Sequence, residues 1–289
     1  MKLDRSKFAT FILSHGRPDN VVTLKTLRRY GYTGKTYILI DDEDPTADEY
    51  RRNYGDEMVI QFSKKAIEPK FDIGDTRDDR RAVVFARNAC FEVARELGLD
   101  YFLQLDDDYS SFAYRSIRDN VLQWVNVRSL DKVNDVMLDL LEDTGALTVA
   151  MSQGGDHLGG AKGLVRKGMR RKAMNSFYVR TNRPINFIGR INEDVNAYVV
   201  YGALGELFLT PMVLCLVQTA TQQQKGGLTE IYLSTGTYTK SFYTVMMAPS
   251  CVKIMAMGPK NRRLHHIVYW DRAVPKIIHE SFRKELNNA

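Results

Sequence analysis

The stretch Tyr101-Phe102-Leu103-Gln104-Leu105-Asp106-Asp107-Asp108 decides how this chain is read. Its aromatic and aliphatic run has the pattern of a buried strand, and three consecutive carboxylates stand where it ends. In open α/β sheets, ligands bind just beyond the carboxyl ends of the strands. Adjacent acids repel one another, so such a site calls for positive charge among them. Alternation along a strand puts Asp106 and Asp108 on one face. A pair of carboxylates on one side suits a hard divalent cation such as magnesium or manganese, which also takes phosphate oxygens. The bland alternative is an acidic turn after a strand.

The residues before this stretch repeat its logic. Phe8 to Leu13 reads as a strand followed by Ser14-His15-Gly16-Arg17-Pro18, with Pro18 in the first turn of a helix through Leu27. Thr36 to Ile40 reads as a second strand, ending in Asp41-Asp42. Arg80 to Leu97 carries Val83, Val84, Ala86, Cys90, Val93, Ala94 and Leu97 at helical spacing, and Gly98 closes it. Strand alternating with helix predicts a doubly wound, mostly parallel sheet flanked by helices. The segment from Ser63 to Asp78 has no apolar period and reads as a loop, one able to order on a ligand.

Further on, two short strands are expected between Tyr114 and Val127, a helix from Ser129 to about Glu142, and a strand from Leu147 to Met151. Leu207 to Val217 reads as a strand, Thr237 to Met247 as a helix, Cys251 to Met257 and His265 to Trp270 as strands, and Pro275 as the start of a last helix. No repeat, low-complexity tract or linker interrupts the chain. One unit of residues 1–289 is expected, with a nucleotide-sugar half (1–127) and an acceptor half (128–289).

The chain has 289 residues, 44% hydrophobic and 26% charged, an ordinary globular balance. Its net charge of +6 favours a polyanionic partner. Cys90, Cys215 and Cys251 are far apart and form no CxxC pair, so neither a disulfide framework nor a zinc site is expected. The first residues lack the apolar run of a signal peptide, and Tyr201 to Val217 is broken by Glu206 and Pro211. A soluble, intracellular protein with no membrane partner is expected. There is no GxxxxGK[ST], GxGxxG, HExxH or GxSxG, which disfavours a P-loop NTPase, a Rossmann dehydrogenase, a zincin and a serine hydrolase.

What remains is a constellation. Ser14-His15-Gly16-Arg17, Asp41-Asp42, Arg87-Asn88 and Asp106-Asp107-Asp108 can line one crevice at one sheet edge. A nucleoside diphosphate needs such parts: carboxylates or amides for base and ribose, a cation for the phosphates, and an arginine nearby. Glu193-Asp194 opens a later helix and offers a carboxylate away from the metal, able to take the proton of an attacking hydroxyl. Each of these has a bland reading, as a turn, a solvated face or a helix N-terminal charge.

In this order the motifs resemble the GT-A glycosyltransferase fold: an α/β single domain with a Rossmann-like sheet and a smaller, antiparallel acceptor-side part. Longer strings narrow the likeness: Gly189-Arg190-Ile191-Asn192-Glu193-Asp194-Val195-Asn196, Thr219-Ala220-Thr221-Gln222, Gly226-Gly227-Leu228-Thr229, Gly236-Thr237-Tyr238-Thr239-Lys240-Ser241-Phe242 and Arg263-Leu264-His265-His266. Together they resemble the TET-associated glycosyltransferases, phage-encoded enzymes that glycosylate 5-hydroxymethylcytosine in DNA. The resemblance implies a nucleotide-sugar donor, a UDP-sugar, bound with Mn2+ or Mg2+ in a DXD-type site. Asp106 and Asp108 would bind metal and diphosphate, with Asp107 nearer the ribose and Asp41 on the nucleotide. Glu193 or Asp194 would be the general base, Asp194 preferred. A late histidine, His266 ahead of His265, would complete the metal shell. The place of action would be the cytoplasm of an infected bacterium.

From Leu158 to Asn192 the chain has no acidic residue. Lys162, Arg166, Lys167, Arg170, Arg171 and Lys172 are the expected phosphate contacts to DNA, which need not read sequence. Tyr178, Phe177, Phe187 and Trp270 offer rings for an extruded base, or belong to the core. Inverting transfer is expected, since a single base suffices for it. Three rival readings stay open: a GT-A enzyme with a non-DNA acceptor, a metal-dependent nuclease, and a DNA-binding module without catalysis.

Overall fold

The computed structural model describes residues 4–77, 80–163, 172–218, 229–257 and 263–273, with backbone alone for 229–237, 257 and 263. Its strands are β1 (Phe8–Leu13), β2 (Lys35–Asp41), β3 (Val59–Phe62), β4 (Tyr101–Asp106), β5 (Tyr109–Arg118), β6 (Val121–Asn126), β7 (Thr148–Val149), β8 (Ser176–Arg180), β9 (Phe208–Leu209), β10 (Leu214–Gln218), β11 (Val252–Met257) and β12 (Arg263–Val268). The α-helices are α1 (Val22–Arg29), α2 (Ala47–Tyr54), α3 (Lys64–Ile67), α4 (Val83–Glu96), α5 (Leu130–Thr144), α6 (Glu193–Ala203), α7 (Thr229–Met247) and α8 (Trp270–Ala273).

A seven-stranded sheet runs β3-β2-β1-β4-β8-β7-β9. Its first four strands are parallel, β8 lies antiparallel between β4 and β7, and β9 is parallel to β7. The expected mostly parallel sheet is therefore present. A three-stranded antiparallel sheet, β10-β5-β6, and the β11–β12 hairpin stand apart from it.

Period-two alternation divides the core between the two faces of the large sheet. Ala9, Phe11, Leu13 and Phe102 join Phe85, Ala89, Phe91 and Val199 on the face covered by α4 and α6. Phe8, Ile12, Leu103 and Leu105 join Leu24, Leu27, Met137 and Leu141 on the face covered by α1 and α5. The same alternation puts Gln104 and Asp106 on the α4 face with Phe102, and the Gln104 amide donates to the Arg87 carbonyl at 2.9 Å.

Several expectations are corrected. β4 stops at Asp106; Asp107 and Asp108 form a turn, so Asp106 and Asp108 do not alternate along one strand. β5 begins at once at Tyr109, earlier than expected. Pro18 precedes α1 instead of opening it, in a turn closed by the Asn20 amide on the Arg17 carbonyl at 3.0 Å. Pro211, which has no N–H to give a sheet, separates β9 from β10 where one strand was expected. Trp270 lies in α8, not in the last strand. The expected helix from Pro275 lies outside the described residues.

Candidate active site

The acid turn is held by backbone before any side chain acts. The Thr23 amide donates to the Asp107 carbonyl (3.0 Å) and its hydroxyl to the Asp106 carbonyl (2.6 Å). That hydroxyl also accepts the Tyr109 amide (2.9 Å). One threonine at the start of α1 thus fixes the turn at the ends of β1 and β4.

The three aspartates then part company. Asp106 meets Arg87 of α4, Nη2 to Oδ1 at 2.7 Å. Asp107 is buried, accepting the Ser14 hydroxyl at 2.5 Å and Arg17 Nη1 at 2.9 Å. Because Ser14 gives its proton to Asp107, the Tyr50 hydroxyl, 2.7 Å away, donates to Ser14, and it accepts the Arg17 amide at 2.9 Å. Asp108 accepts the Gln218 amide from β10 at 3.0 Å. Burial and the like charges of Asp106 and Asp107 push its carboxyl up to about 7. Burial raises the Asp107 carboxyl as well, with Arg17 opposing.

Ser14, His15 and Arg17 all belong to the loop after β1, as expected, and their partners are the acids of neighbouring strands. His15 Nδ1 lies 2.7 Å from Asp41, which also pairs with the buried Lys64 ammonium at 2.8 Å. Asp41 raises the imidazole pKa, and although burial pushes the Asp41 carboxyl up, His15 and Lys64 together outweigh it and hold that carboxyl low. Asp42 accepts the Lys64 amide at 3.0 Å, at the start of α3. Asn88, read as a donor contact, is committed elsewhere. Its amide donates to the Phe187 carbonyl and accepts the Phe187 amide, both at 2.9 Å, tying α4 to the segment leading into α6.

That segment explains the Gly189–Asn196 string. Gly189 has φ +83°, and a Cβ there would meet the Asn196 amide nitrogen at 2.4 Å, so glycine is required. Asn196 donates to the Ile188 and Ile191 carbonyls at 2.9 and 3.2 Å. Arg190 is buried and forms a two-point pair with Asp75, at 2.8 and 2.9 Å. Tyr243 of α7 donates to the same carboxylate. Asn192, at φ +58°, precedes α6 and donates to the Lys240 carbonyl at 2.7 Å. The segment that the sequence reads as a loop from Ser63 is therefore pinned at Asp75.

Glu193 and Asp194 begin α6 and are both buried. Glu193 reaches Arg87 Nε at 3.2 Å, so one guanidinium, fully enclosed, joins the acid turn to the second acid pair. Its Nη1 is buried and has no hydrogen-bond partner among the described residues, and the group lies 5.1 Å from the Phe177 ring centre. Burial pushes both carboxyls up, Arg87 acting against this. Asp194 accepts only its neighbour's amide, Val195, at 2.7 Å among the bonds seen here. The Lys240 ammonium is a further positive charge acting on it. Lys240 was passed over as a functional group in the sequence, although it sits within the Gly236–Phe242 string.

His265 and His266 lie on β12, ring centres 4.5 Å apart. His266 Nδ1 is 3.4 Å from the Asn192 amide, and burial lowers its pKa to about 4, so it is neutral. Among the described residues no three His, Cys, Asp or Glu side chains converge as a ligand set, so the expected carboxylate–histidine shell is not assembled.

Lys162 is exposed, as a phosphate contact requires. The Lys172 ammonium pairs with the buried Asp156. Arg166, Lys167, Arg170 and Arg171 lie outside the described residues. Phe177, Tyr178 and Phe187 are fully buried core rings, and Trp270 stacks on Tyr198 at 5.6 Å. Among the described residues no helix is long and apolar enough to cross a membrane.

No curated protein matches the chain significantly. Among solved structures, it is similar to glucosyl-3-phosphoglycerate synthase from Mycobacterium tuberculosis, crystallised with Mg2+ and UDP. Identity is 10%, coverage 90% of this chain and 87% of that one, and the TM-score 0.47. S. aureus TarS gives 11% identity, 75% of this chain and 37% of that one, and a TM-score of 0.41. Neither likeness is close enough to bear on function. Residues 8–227 match the sequence model of the TET-associated glycosyltransferases, which is well over half of the chain. With that match, and with its carboxylates gathered where a mostly parallel sheet ends, the chain belongs to the TET-associated glycosyltransferase family.

Proposed function

We propose that this glycosyltransferase takes a sugar from a uridine diphosphate donor and places it on the hydroxymethyl group of 5-hydroxymethylcytosine in DNA. The observation that carries this reading is the bridge from Asp106 through Arg87 to Glu193, which sets a diphosphate-type acid turn beside a buried acid pair. The loop Ser14–Arg17 and Asp41 supply the nucleotide side. Asp194 is the general base: it removes the hydroxymethyl proton as that oxygen attacks the anomeric carbon. The bond to the donor's phosphate oxygen breaks, and UDP leaves with the electron pair. A single displacement of this kind inverts the anomeric centre.

The acid turn fits a divalent cation. Asp108 is pushed up to about 7 by burial and like charge, a load that a cation relieves. Magnesium and manganese need only one or two carboxylates, taking phosphate and water oxygens for the rest. Asp108 would hold it with Asp106, and His266 is not required. When bound, the cation neutralises charge growing on the diphosphate.

The DNA acceptor is supported by the family and by the acid-free stretch from Leu158 to Asn192 with its exposed Lys162. The nuclease reading loses its ground with the family assignment.

The test is incubation with hydroxymethylcytosine DNA, manganese and a panel of nucleotide sugars, followed by nucleoside mass spectrometry. A sugar's mass gained on the hydroxymethylated nucleoside is expected. No gain with any donor, alongside transfer to a glycan or protein acceptor, overturns the DNA assignment.

A further inference from the structure

We infer that the outer face of the β5–β6 ribbon is a binding surface for a nucleic-acid strand, with the Arg115–Trp124 pair as its stacking platform. Arg115 and Trp124 are cross-strand partners, and the guanidinium lies 4.9 Å from the indole centre. Trp124 is 43% exposed. Its indole N–H donates to Asn126 at 2.9 Å, which locks the ring orientation. Asn126 in turn lines an open groove of about 480 Å3 shared with Arg29, Ser110 and Ser111, and no carboxylate lines it.

The ribbon is built to be rigid. Asp119 and Asn120, at φ +51° and +59°, form a two-residue turn whose twist matches the paired strands. A rigid ribbon with an exposed indole invites an occupant. Its charge chooses among occupants. Arg29 and Arg115 are cationic, and the Gly160–Lys162 turn, with its exposed Lys162, packs against β6. Asp119, at the ribbon tip, is the one acid of the hairpin, and Arg118 lies 3.8 Å from it. A face of this sign repels a second copy of itself, whereas it attracts phosphates. Guanidinium and indole planes stack on bases whatever the sequence, worth about ten- to hundred-fold in affinity per base.

This rests on the DNA acceptor reading, and the experiment separates the two. Anisotropy of a labelled oligonucleotide carrying hydroxymethylcytosine is measured with wild type, with Trp124→Ala/Arg115→Ala and with Trp124→Phe. UDP affinity is measured in parallel as a folding control. Expected are a loss of about ten-fold or more in the double variant, recovery with phenylalanine, and unchanged UDP affinity. Equal DNA binding by wild type and the double variant overturns the surface while leaving the acceptor reading intact. Wild type that binds UDP but no DNA overturns the acceptor reading, and the surface with it. A concentration-dependent dimer that Trp124→Ala dissociates assigns the face to a second copy and overturns the inference.

Discussion

Arg87 and Glu193 meet at 3.2 Å inside the protein, 106 positions apart in sequence. The same guanidinium holds Asp106 at 2.7 Å, so it is shared between the end of β4 and the start of α6. A fully buried arginine without acidic partners would be costly. The guanidinium therefore ties the two halves of the site together and opposes the effect of burial on Glu193. Arg87→Met should remove that compensation, costing about 3–5 kcal/mol of stability. A double variant, Arg87→Met with Glu193→Gln, should recover part of the loss. Thermal melts of both check this, and equal melts for the two variants would count against the bridge.

Asp194 and Glu193 are separable by their partners. Glu193 is committed to Arg87, whereas Asp194 accepts a backbone amide of its own helix. Asp194→Asn should lower kcat by about 10²–10⁴ with little change in UDP affinity, as expected for loss of a general base. Glu193→Gln should cost more in stability than in proton transfer. Steady-state kinetics beside calorimetric UDP binding distinguish them. A Glu193→Gln enzyme that is the more crippled in kcat while equally stable would exchange the two roles.

The pH profile follows from the sign of the shift. Burial raises the Asp194 carboxyl, so the ionised base is lost on acidification earlier than for an ordinary aspartate. The acid limb of kcat should therefore sit above the usual carboxylate range. Lys240 opposes the rise, so Lys240→Met should move the limb to still higher pH. A limb that moves down, or does not move, removes Lys240 from the site.

Much of this was legible in sequence, and the reason is local. Strand periodicity and acid clusters depend on neighbours, so β1, β2 and β4, and the aspartates that end β2 and β4, could be read directly. The roles of individual acids were not. Asp106, Asp107 and Asp108 differ because a turn replaces the expected alternation, and each then meets a cation or amide from a different part of the chain. Asn88 looked like a ligand contact because an exposed amide and a buried clamp have the same letter. Lys172 and Lys162 looked alike for the same reason; only the fold puts Asp156 beside one of them. Asp75 gave no signal at all, since its partner Arg190 lies 115 positions away.

Asp108 should carry the metal dependence. Asn removes its charge with little change of shape, leaving the Gln218 contact possible. Asp108→Asn should weaken UDP binding in the presence of Mn2+ about ten-fold or more, by analogy with loss of one ligand carboxylate, and leave metal-free UDP binding nearly unchanged. Calorimetry with and without the ion measures both. A variant with undiminished manganese enhancement would move the ion away from this turn.

The last prediction concerns the Asp75 latch. Arg190 and Tyr243 hold the Asp75 carboxyl down at about 2 despite its partial burial. Its folded pKa is thus below the unfolded value, so the latch contributes its full stability above about pH 4. That contribution declines as pH falls toward 2, when the folded carboxyl also takes a proton. Asp75→Asn should therefore melt lower than wild type at pH 7, and the gap should narrow between pH 4 and 2. Because Arg190 stands three residues before Glu193, the variant should also lose kcat without losing UDP affinity, the base being displaced and the donor site intact. A gap in melting temperature that stays constant down to pH 2 would mean that Asp75 acts through shape alone and not through its charge.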